Sequence, residues 1–146
     1  MKFHRSECSN VVRDALIPQL KNYRIFALRG PMGAGKTTLI KELLRQCGVQ
    51  ETVTSPTFSY FNTYHDTSDR TFYHFDLYRI TSLDEFINAG FDEILQEDAF
   101  VFIEWPDVIE PLLKDRELKK DVCRISLALD STDKEQRILH ISPQNV

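Results

Sequence analysis

The chain has 146 residues, 42% of them hydrophobic, and its 22 acidic and 18 basic side chains give a net charge of −4. This length and composition predict one globular domain, spanning the whole chain around a hydrophobic core, and exclude an intrinsically disordered protein. The acidic balance argues against a protein that grips nucleic acid by charge alone, because such proteins carry a basic surface.

The same sequence indicates the compartment. No apolar run is long enough to cross a bilayer, and the opening residues, Met-Lys-Phe-His-Arg, do not begin a signal-peptide core. Cys8, Cys47 and Cys123 are far apart and odd in number, which is typical of reduced thiols and not of a disulfide or zinc framework. We therefore expect a cytoplasmic protein with no membrane partner.

The first predicted elements are a helix over residues 7–20 and a β-strand over residues 23–28. Apolar residues recur on one face of this helix, and Pro18 is expected to end or bend it. A second helix is predicted over residues 38–47, where apolar residues recur at helical spacing and a glycine ends the pattern. A strand and a helix therefore flank residues 30–37.

Those residues, which we call the glycine-rich loop, read Gly-Pro-Met-Gly-Ala-Gly-Lys-Thr. They match the phosphate-binding pattern Gly-x-x-x-x-Gly-Lys-[Ser/Thr] at every fixed position. Glycines let backbone N–H groups approach a polyphosphate, and the next helix points its positive end at the same charge. Lys36 would reach the β- and γ-phosphates, and the Thr37 hydroxyl would bind the accompanying Mg²⁺. The pattern predicts a nucleoside triphosphate site that includes Gly33, Ala34, Gly35, Lys36, Thr37 and Thr38.

Residues 53–60 follow, with the sequence Val-Thr-Ser-Pro-Thr-Phe-Ser-Tyr, before an aromatic strand that runs to about Tyr64. In a protein with a phosphate-binding loop, a threonine-bearing segment at this place can fold over the γ-phosphate and act as a switch. An ordinary loop that feeds a strand explains the sequence equally well. Spacing alone leaves both interpretations open.

Two acidic residues follow predicted strands. Asp76 lies near the end of the strand predicted over residues 71–78, where His74 shares its face. For His74 we favour packing or a supporting hydrogen bond over catalysis. Glu104 follows the continuous apolar run at residues 99–103, which is typical of a buried parallel strand.

An acid at the end of such a strand is placed like the Mg²⁺-binding acid of phosphate-loop enzymes. The two carboxylates would divide the tasks of holding the metal and orienting an attacking water, and we assign Glu104 to the metal and Asp76 to the γ-phosphate. The tryptophan that follows, Trp105, would lie either at the rim of the site or in the core.

The remaining elements complete an α/β fold. Ser82 begins a capping box and a helix that ends at Gly90, and two helical pieces are predicted at residues 91–95 and 107–119. Residues 122–129 and 137–141 read as an antiparallel β-hairpin. We expect a three-layer fold like that of phosphate-loop NTPases, with a mixed, mainly parallel sheet and a C-terminal hairpin.

Three classes of function are compatible with these residues. The first is an ATPase that drives a partner, the second is a small-molecule kinase, and the third is a module that binds nucleotide without turnover. No basic lid segment is evident for a kinase, and no Asn-Lys-x-Asp segment is present to read guanine.

The motifs taken in order also resemble a known family. They are the loop at residues 30–38, Ser-Pro-Thr-Phe at 55–58, His-Phe-Asp-Leu-Tyr-Arg at 74–79 and Ile-Glu-Trp-Pro at 103–106. Together they resemble the bacterial TsaE family, also called YjeE, whose members are ATPases required for threonylcarbamoyladenosine at position 37 of tRNAs. The similarity covers essentially the whole chain.

The resemblance implies ATP and Mg²⁺ as cofactors and the TsaB–TsaD pair as partner, with TsaE ATPase activity needed for repeated rounds of modification by TsaD. The acidic balance suggests that most contact with tRNA is made by the partners. This chain departs from the family at Pro31 and Met32, where an acidic and an apolar residue are usual, and at residues 21–23, where a glycine is usual. Among individual residues, the resemblance implies catalytic roles for Lys36, Asp76 and Glu104, metal binding by Thr37 and Glu104, and nucleotide contacts by residues 33–38, Thr57, Asp76 and Trp105.

Overall fold

The computed structural model describes residues 1–56 and 58–143. Within them, seven strands form one sheet in the order β1-β7-β6-β2-β5-β4-β3. The four strands β6, β2, β5 and β4 are parallel neighbours, whereas β3 and β7 run opposite to the strands beside them. The sheet is therefore mixed and mostly parallel, as predicted. The strands are β1 (Lys2–His4), β2 (Ile25–Arg29), β3 (Phe61–His65), β4 (Thr71–Asp76), β5 (Phe100–Glu104), β6 (Val122–Leu129) and β7 (Gln136–Pro143).

The longest regular helix begins inside the glycine-rich loop. This helix, α2, covers Lys36–Gln46 and is followed along the chain by α3 (Leu83–Asn88), α4 (Phe91–Ile94) and α5 (Glu110–Leu113). Ser82 caps α3 by accepting a hydrogen bond from the backbone N–H of Glu85, as its position before an acidic first turn predicts. Among the described residues, no helix is long and apolar enough to cross a membrane.

The first predicted helix is helical but irregular. Its α-helical part, α1 (Cys8–Val11), continues into a π-helical turn at Val12–Leu16 and a 3₁₀ turn at Ile17–Lys21. Pro18 lies in this stretch and has no backbone N–H to donate, so the hydrogen-bond pattern changes around it while the helical path continues. The predicted helical piece at 107–119 is likewise divided into shorter turns on either side of α5.

Side chains alternate across the sheet and build a core on each face. On one face, Phe26 and Phe102 pack with α1, α2 and the π-helical turn, and on the other, Ile25 and Ile103 pack with α3 and α5. Because helices cover both faces, the molecule has the predicted three-layer α/β arrangement. The catalytic candidates at the ends of β4 and β5 lie on the α2 side of the sheet, since Glu104 is in phase with Phe102.

Sequence reasoning missed β1. This strand pairs antiparallel with β7 and places Phe3 in the core, where 6% of it is exposed. With only three residues it is too short to show an alternating pattern. The predicted C-terminal hairpin of β6 and β7 is present, and β1 extends it.

A hydrogen-bonded carboxylate links α2 to the N-terminal helical stretch. Arg45 donates bonds of 3.0 and 2.6 Å to Glu42, and this contact, with weaker help from Gln46 and Ser9, lowers the pKa of Glu42 from 4.5 to about 2. Gln46 also donates a 2.8 Å bond to the carbonyl of Ser9. Because the pKa is lower in the folded state, the carboxylate stabilises the fold above pH 4.5, and this stabilisation disappears as pH falls toward 2.

Glu42→Gln is therefore expected to lower the free energy of unfolding by about 1–2 kcal/mol at pH 7 and by much less near pH 2. Urea unfolding of both proteins across this pH range measures the difference. Glu51→Gln, which changes an exposed carboxylate, is the matched control and should have little effect. An equal loss of stability at both ends of the range would contradict the assignment.

Candidate functional site

The glycine-rich loop connects β2 to α2 and depends on glycine at two places. Gly30 lies so close to β6 that a Cβ atom there would be 2.5 Å from the carbonyl oxygen of Leu127. Gly35, which precedes α2, has a φ of +103°, in the region that side-chain-bearing residues rarely adopt. The glycines at these two positions therefore meet requirements of the backbone. The loop places the first residues of α2 near the C-terminal ends of β4 and β5.

Lys36 is the buried cation of this site, with 5% of the residue exposed. Its ammonium group donates a hydrogen bond to the carbonyl of Gly30 and lies 3.5 Å from the centroid of the Trp105 ring. Burial lowers the pKa of Lys36, while the nearby carboxylates of Glu104, Asp76 and Asp107 raise it and offset part of this effect. A negatively charged ligand would therefore stabilise an ammonium group that the protein itself solvates only in part.

Glu104 connects the loop to the sheet. The Thr37 hydroxyl donates to both of its carboxylate oxygens, at 3.0 and 2.9 Å, and His74 Nε2 lies 2.6 Å from Oε2. The residue is only 3% exposed, so these donors replace most of the water that a carboxylate normally binds. Asp76 ends the neighbouring strand directly opposite Glu104 in the parallel register.

Most of the predicted residues line one cavity of about 320 Å³. Its size is within the range of small-molecule sites. Ala34, another predicted residue, is buried and lines a different cavity, and Thr57 lies outside the described residues. The lining consists of Met32, Gly33, Gly35, Lys36, Thr37, Thr38, Ser55, Asp76, Glu104 and Trp105.

A second cavity, of about 360 Å³, lies on the other side of the same loop. It shares Gly33, Gly35 and Thr38 with the first, so the two cavities are neighbours along the loop. Sequence reasoning did not find its other walls, because they come from elements that only the fold brings together and carry no motif. Those additional lining residues include Phe3, Arg5, Cys8, Leu127 and Arg137.

The oxygen donors of Thr37 and Glu104 suit Mg²⁺. No group of three or more His, Cys, Asp or Glu side chains that could hold a metal is found among residues 1–56 and 58–143. Mg²⁺ is commonly held by one or two protein groups together with water and substrate phosphates. The pair therefore fits an ion that arrives with a nucleotide, and does not fit a metal site made by the protein alone.

Trp105 lies at the edge of the cavity and is partly exposed. Its backbone is left-handed, with φ 57° and ψ 58°, an uncommon conformation for a large side chain. The Tyr78 ring packs against it with the centroids 5.0 Å apart. Of the two positions that the sequence left open, the structure places Trp105 at the rim of the cavity.

Adding magnesium ATP is expected to change the fluorescence of Trp105, the single tryptophan. Lys36 contacts the ring face and would turn toward the phosphates, which removes a cation–π contact. A saturable change in emission during titration measures this, with free tryptophan as the control for absorption by the nucleotide. A response no different from that control would contradict nucleotide binding beside Trp105.

Comparison with known proteins identifies the family. Residues 4–138 match the model of the family described as threonylcarbamoyl adenosine biosynthesis protein TsaE. Proteins named tRNA threonylcarbamoyladenosine biosynthesis protein TsaE are similar to this chain: that of Borreliella burgdorferi is 44% identical over 64% of the chain, and that of Treponema pallidum is 38% identical over 59%. The one from Bacillus subtilis is 35% identical over 65% of the chain.

These matches span 68%, 62% and 58% of the respective relatives, about three fifths to two thirds of their length. Among solved structures, the crystal structure of Bacillus subtilis YdiB has the same fold, with a TM-score of 0.65 at 22% identity, and the match covers 98% of this chain and 85% of that one. Since the family model matches nearly the whole sequence, the chain belongs to the TsaE family of threonylcarbamoyl adenosine biosynthesis proteins.

Proposed function

We propose that the protein is a Mg²⁺-dependent ATPase of the tRNA threonylcarbamoyladenosine machinery, which acts in the cytoplasm with TsaB and TsaD and supports their turnover. The observation that carries this proposal is the convergence of Lys36, Thr37, Asp76 and Glu104 on one cavity beside the glycine-rich loop. Membership of the TsaE family supports the role in tRNA modification. The net charge of −4 supports a subunit that leaves most of the contact with tRNA to its partners.

Each side chain would have a separate task. The loop N–H groups and Lys36 would bind the phosphates, and Thr37 and Glu104 would hold Mg²⁺, which when bound neutralises phosphate charge. Asp76 would orient the attacking water and accept its proton, since it lines the cavity and is less buried than Glu104. Water would attack the γ-phosphorus while the bond to the β-phosphate oxygen breaks, which yields ADP, inorganic phosphate and a proton.

The second cavity supports a complete nucleotide over a bare polyphosphate. It borders the glycine-rich loop and offers both an aromatic ring, Phe3, and cationic side chains, Arg5 and Arg137. Apolar and aromatic walls with a few polar groups are typical of nucleoside sites. We therefore assign this cavity to the nucleoside end of ATP.

One observation favours a second candidate, a small-molecule kinase. A further cavity of about 200 Å³ adjoins the first and shares Met32, Ser55, Asp76 and Trp105 with it. An acceptor hydroxyl in that cavity would have Asp76 as a nearby base. The charged residues that line the adjoining cavity, Asp76 and Arg79, do not identify an acceptor, whereas the family match supports a role in tRNA modification.

Release of inorganic phosphate from ATP distinguishes these functions. We expect slow release by the chain alone, faster release with co-purified TsaB–TsaD, and no transfer to small acceptors. Transfer of phosphate to an added hydroxyl compound would instead support the kinase. Binding of ATP without turnover, alone and with TsaB–TsaD, would identify a nucleotide-dependent assembly module.

A further inference from the structure

We propose that His74 is a positioning residue that holds the Glu104 carboxylate in its metal-binding orientation, an inference that rests on the proposed function. His74 is fully buried in the strand beside Glu104, and its Nε2 atom is 2.6 Å from Glu104 Oε2. Neither the motif of the loop nor the cavity lining includes it. It therefore acts on the site through Glu104 and not through the nucleotide.

The sheet register explains why a residue at this position reaches Glu104. β4 and β5 are parallel neighbours in which His74 is opposite Phe102 and Asp76 is opposite Glu104. Side chains two residues apart share a face, so His74, Asp76 and Glu104 all lie on the α2 side. His74 thus lies one pleat below the two carboxylates and supports Glu104 from inside the core.

The other ring nitrogen defines the tautomer. Nδ1 of His74 is buried and, within the described part of the chain, has no hydrogen-bond partner. A hydrogen on Nδ1 would be a buried donor without an acceptor, which is unfavourable. The hydrogen is therefore placed on Nε2, where it donates to Glu104, and the imidazole acts as a donor of fixed direction.

This donor complements the contact from Thr37. Thr37 approaches both oxygens of Glu104 from the loop side, and His74 approaches Oε2 from the core side. The carboxylate is thereby oriented before any ion binds. Hydrogen-bond partners that orient a metal ligand typically contribute about 10- to 100-fold to metal affinity.

Two substitutions separate positioning from packing. His74→Gln keeps an N–H donor close to the place of Nε2, whereas His74→Met fills similar space without a donor. We expect the Mg²⁺ concentration for half-maximal binding of a non-hydrolysable ATP analogue to rise about 10- to 100-fold in His74→Met and less than about 3-fold in His74→Gln. Binding of the analogue without Mg²⁺ should change little. Tyr73→Phe, on the opposite face of β4, is the matched control.

Trp105 fluorescence reports this binding without catalysis. A purely structural role would lower the melting temperature of His74→Met but leave its Mg²⁺ response equal to that of the parent protein, and that result would overturn the inference alone. A parent protein with no Mg²⁺ response would overturn the proposed function and the inference together. Nitrogen-15 NMR of the histidine rings in the parent protein supplies a second test, in which the signals missing from the His74→Gln spectrum identify His74. We expect a proton on Nε2 of His74, and an Nε2 atom without a proton would contradict the proposal.

Discussion

Lys36→Ala is expected to lower the rate of ATP hydrolysis by about 100-fold or more and to weaken ATP binding. Lys36 is 5% exposed, and its ammonium group lies between the loop carbonyl of Gly30 and the ring of Trp105. A cation in such a place interacts strongly with a phosphate, because little water competes for it. A 100-fold loss corresponds to about 2.7 kcal/mol of transition-state stabilisation.

The same substitution should not unfold the protein. Burial lowers the pKa of Lys36, which means that the fold disfavours the charged side chain despite the carboxylates nearby. Removing it is therefore expected to leave the free energy of unfolding unchanged or slightly higher. Phosphate release, ATP titration and urea unfolding measure the three quantities, and Lys41→Ala, an exposed lysine on the same helix, is the control. Normal ATP hydrolysis by Lys36→Ala would contradict the proposed role of Lys36 in binding the phosphates.

The site could be predicted to the extent that it depends on local sequence. The loop pattern specifies both the glycines that the backbone requires and the start of α2, since its conformation is determined within a few residues. The apolar run before Glu104 predicts a buried strand, and the order of strand, loop and acid then predicts that Thr37 and Glu104 lie together. In the structure, the Thr37 hydroxyl lies 2.9 and 3.0 Å from the two Glu104 oxygens.

Other features depend on contacts that no local pattern encodes. Pairing of β1 with β7 brings Phe3 and Arg137 to the wall of the second cavity, although these strands lie at opposite ends of the chain. Trp105, whose ring Lys36 contacts, has a left-handed backbone, which the conformational preferences of a large residue argue against. For His74, alternation predicted the face, but the choice between packing and hydrogen bonding needed the register of β4 against β5.

The two acids differ in burial and contacts, and that difference gives them different expected effects. Glu104 is 3% exposed and bonded to Thr37, whereas Asp76 is partly exposed and accepts a 3.1 Å bond from the backbone N–H of Tyr78. Glu104→Gln is therefore expected to lower hydrolysis by about 100-fold and to raise the Mg²⁺ concentration needed for half-maximal activity. Asp76→Asn should lower the maximal rate by a similar factor, because general bases contribute about 10²- to 10⁴-fold. It should leave the Mg²⁺ requirement unchanged.

Activity measured against Mg²⁺ concentration separates these roles, because a lost metal ligand shifts the midpoint of the curve while a lost base lowers its plateau. Asp107→Asn provides the control, since it removes a nearby carboxylate whose side chain is 69% exposed. Glutamine has nearly the shape of glutamate and can still accept a bond from Thr37, so a large effect in Glu104→Gln would come from the lost charge and not from lost packing. A shifted midpoint in Asp76→Asn with an unshifted one in Glu104→Gln would reverse the assignment of the two acids.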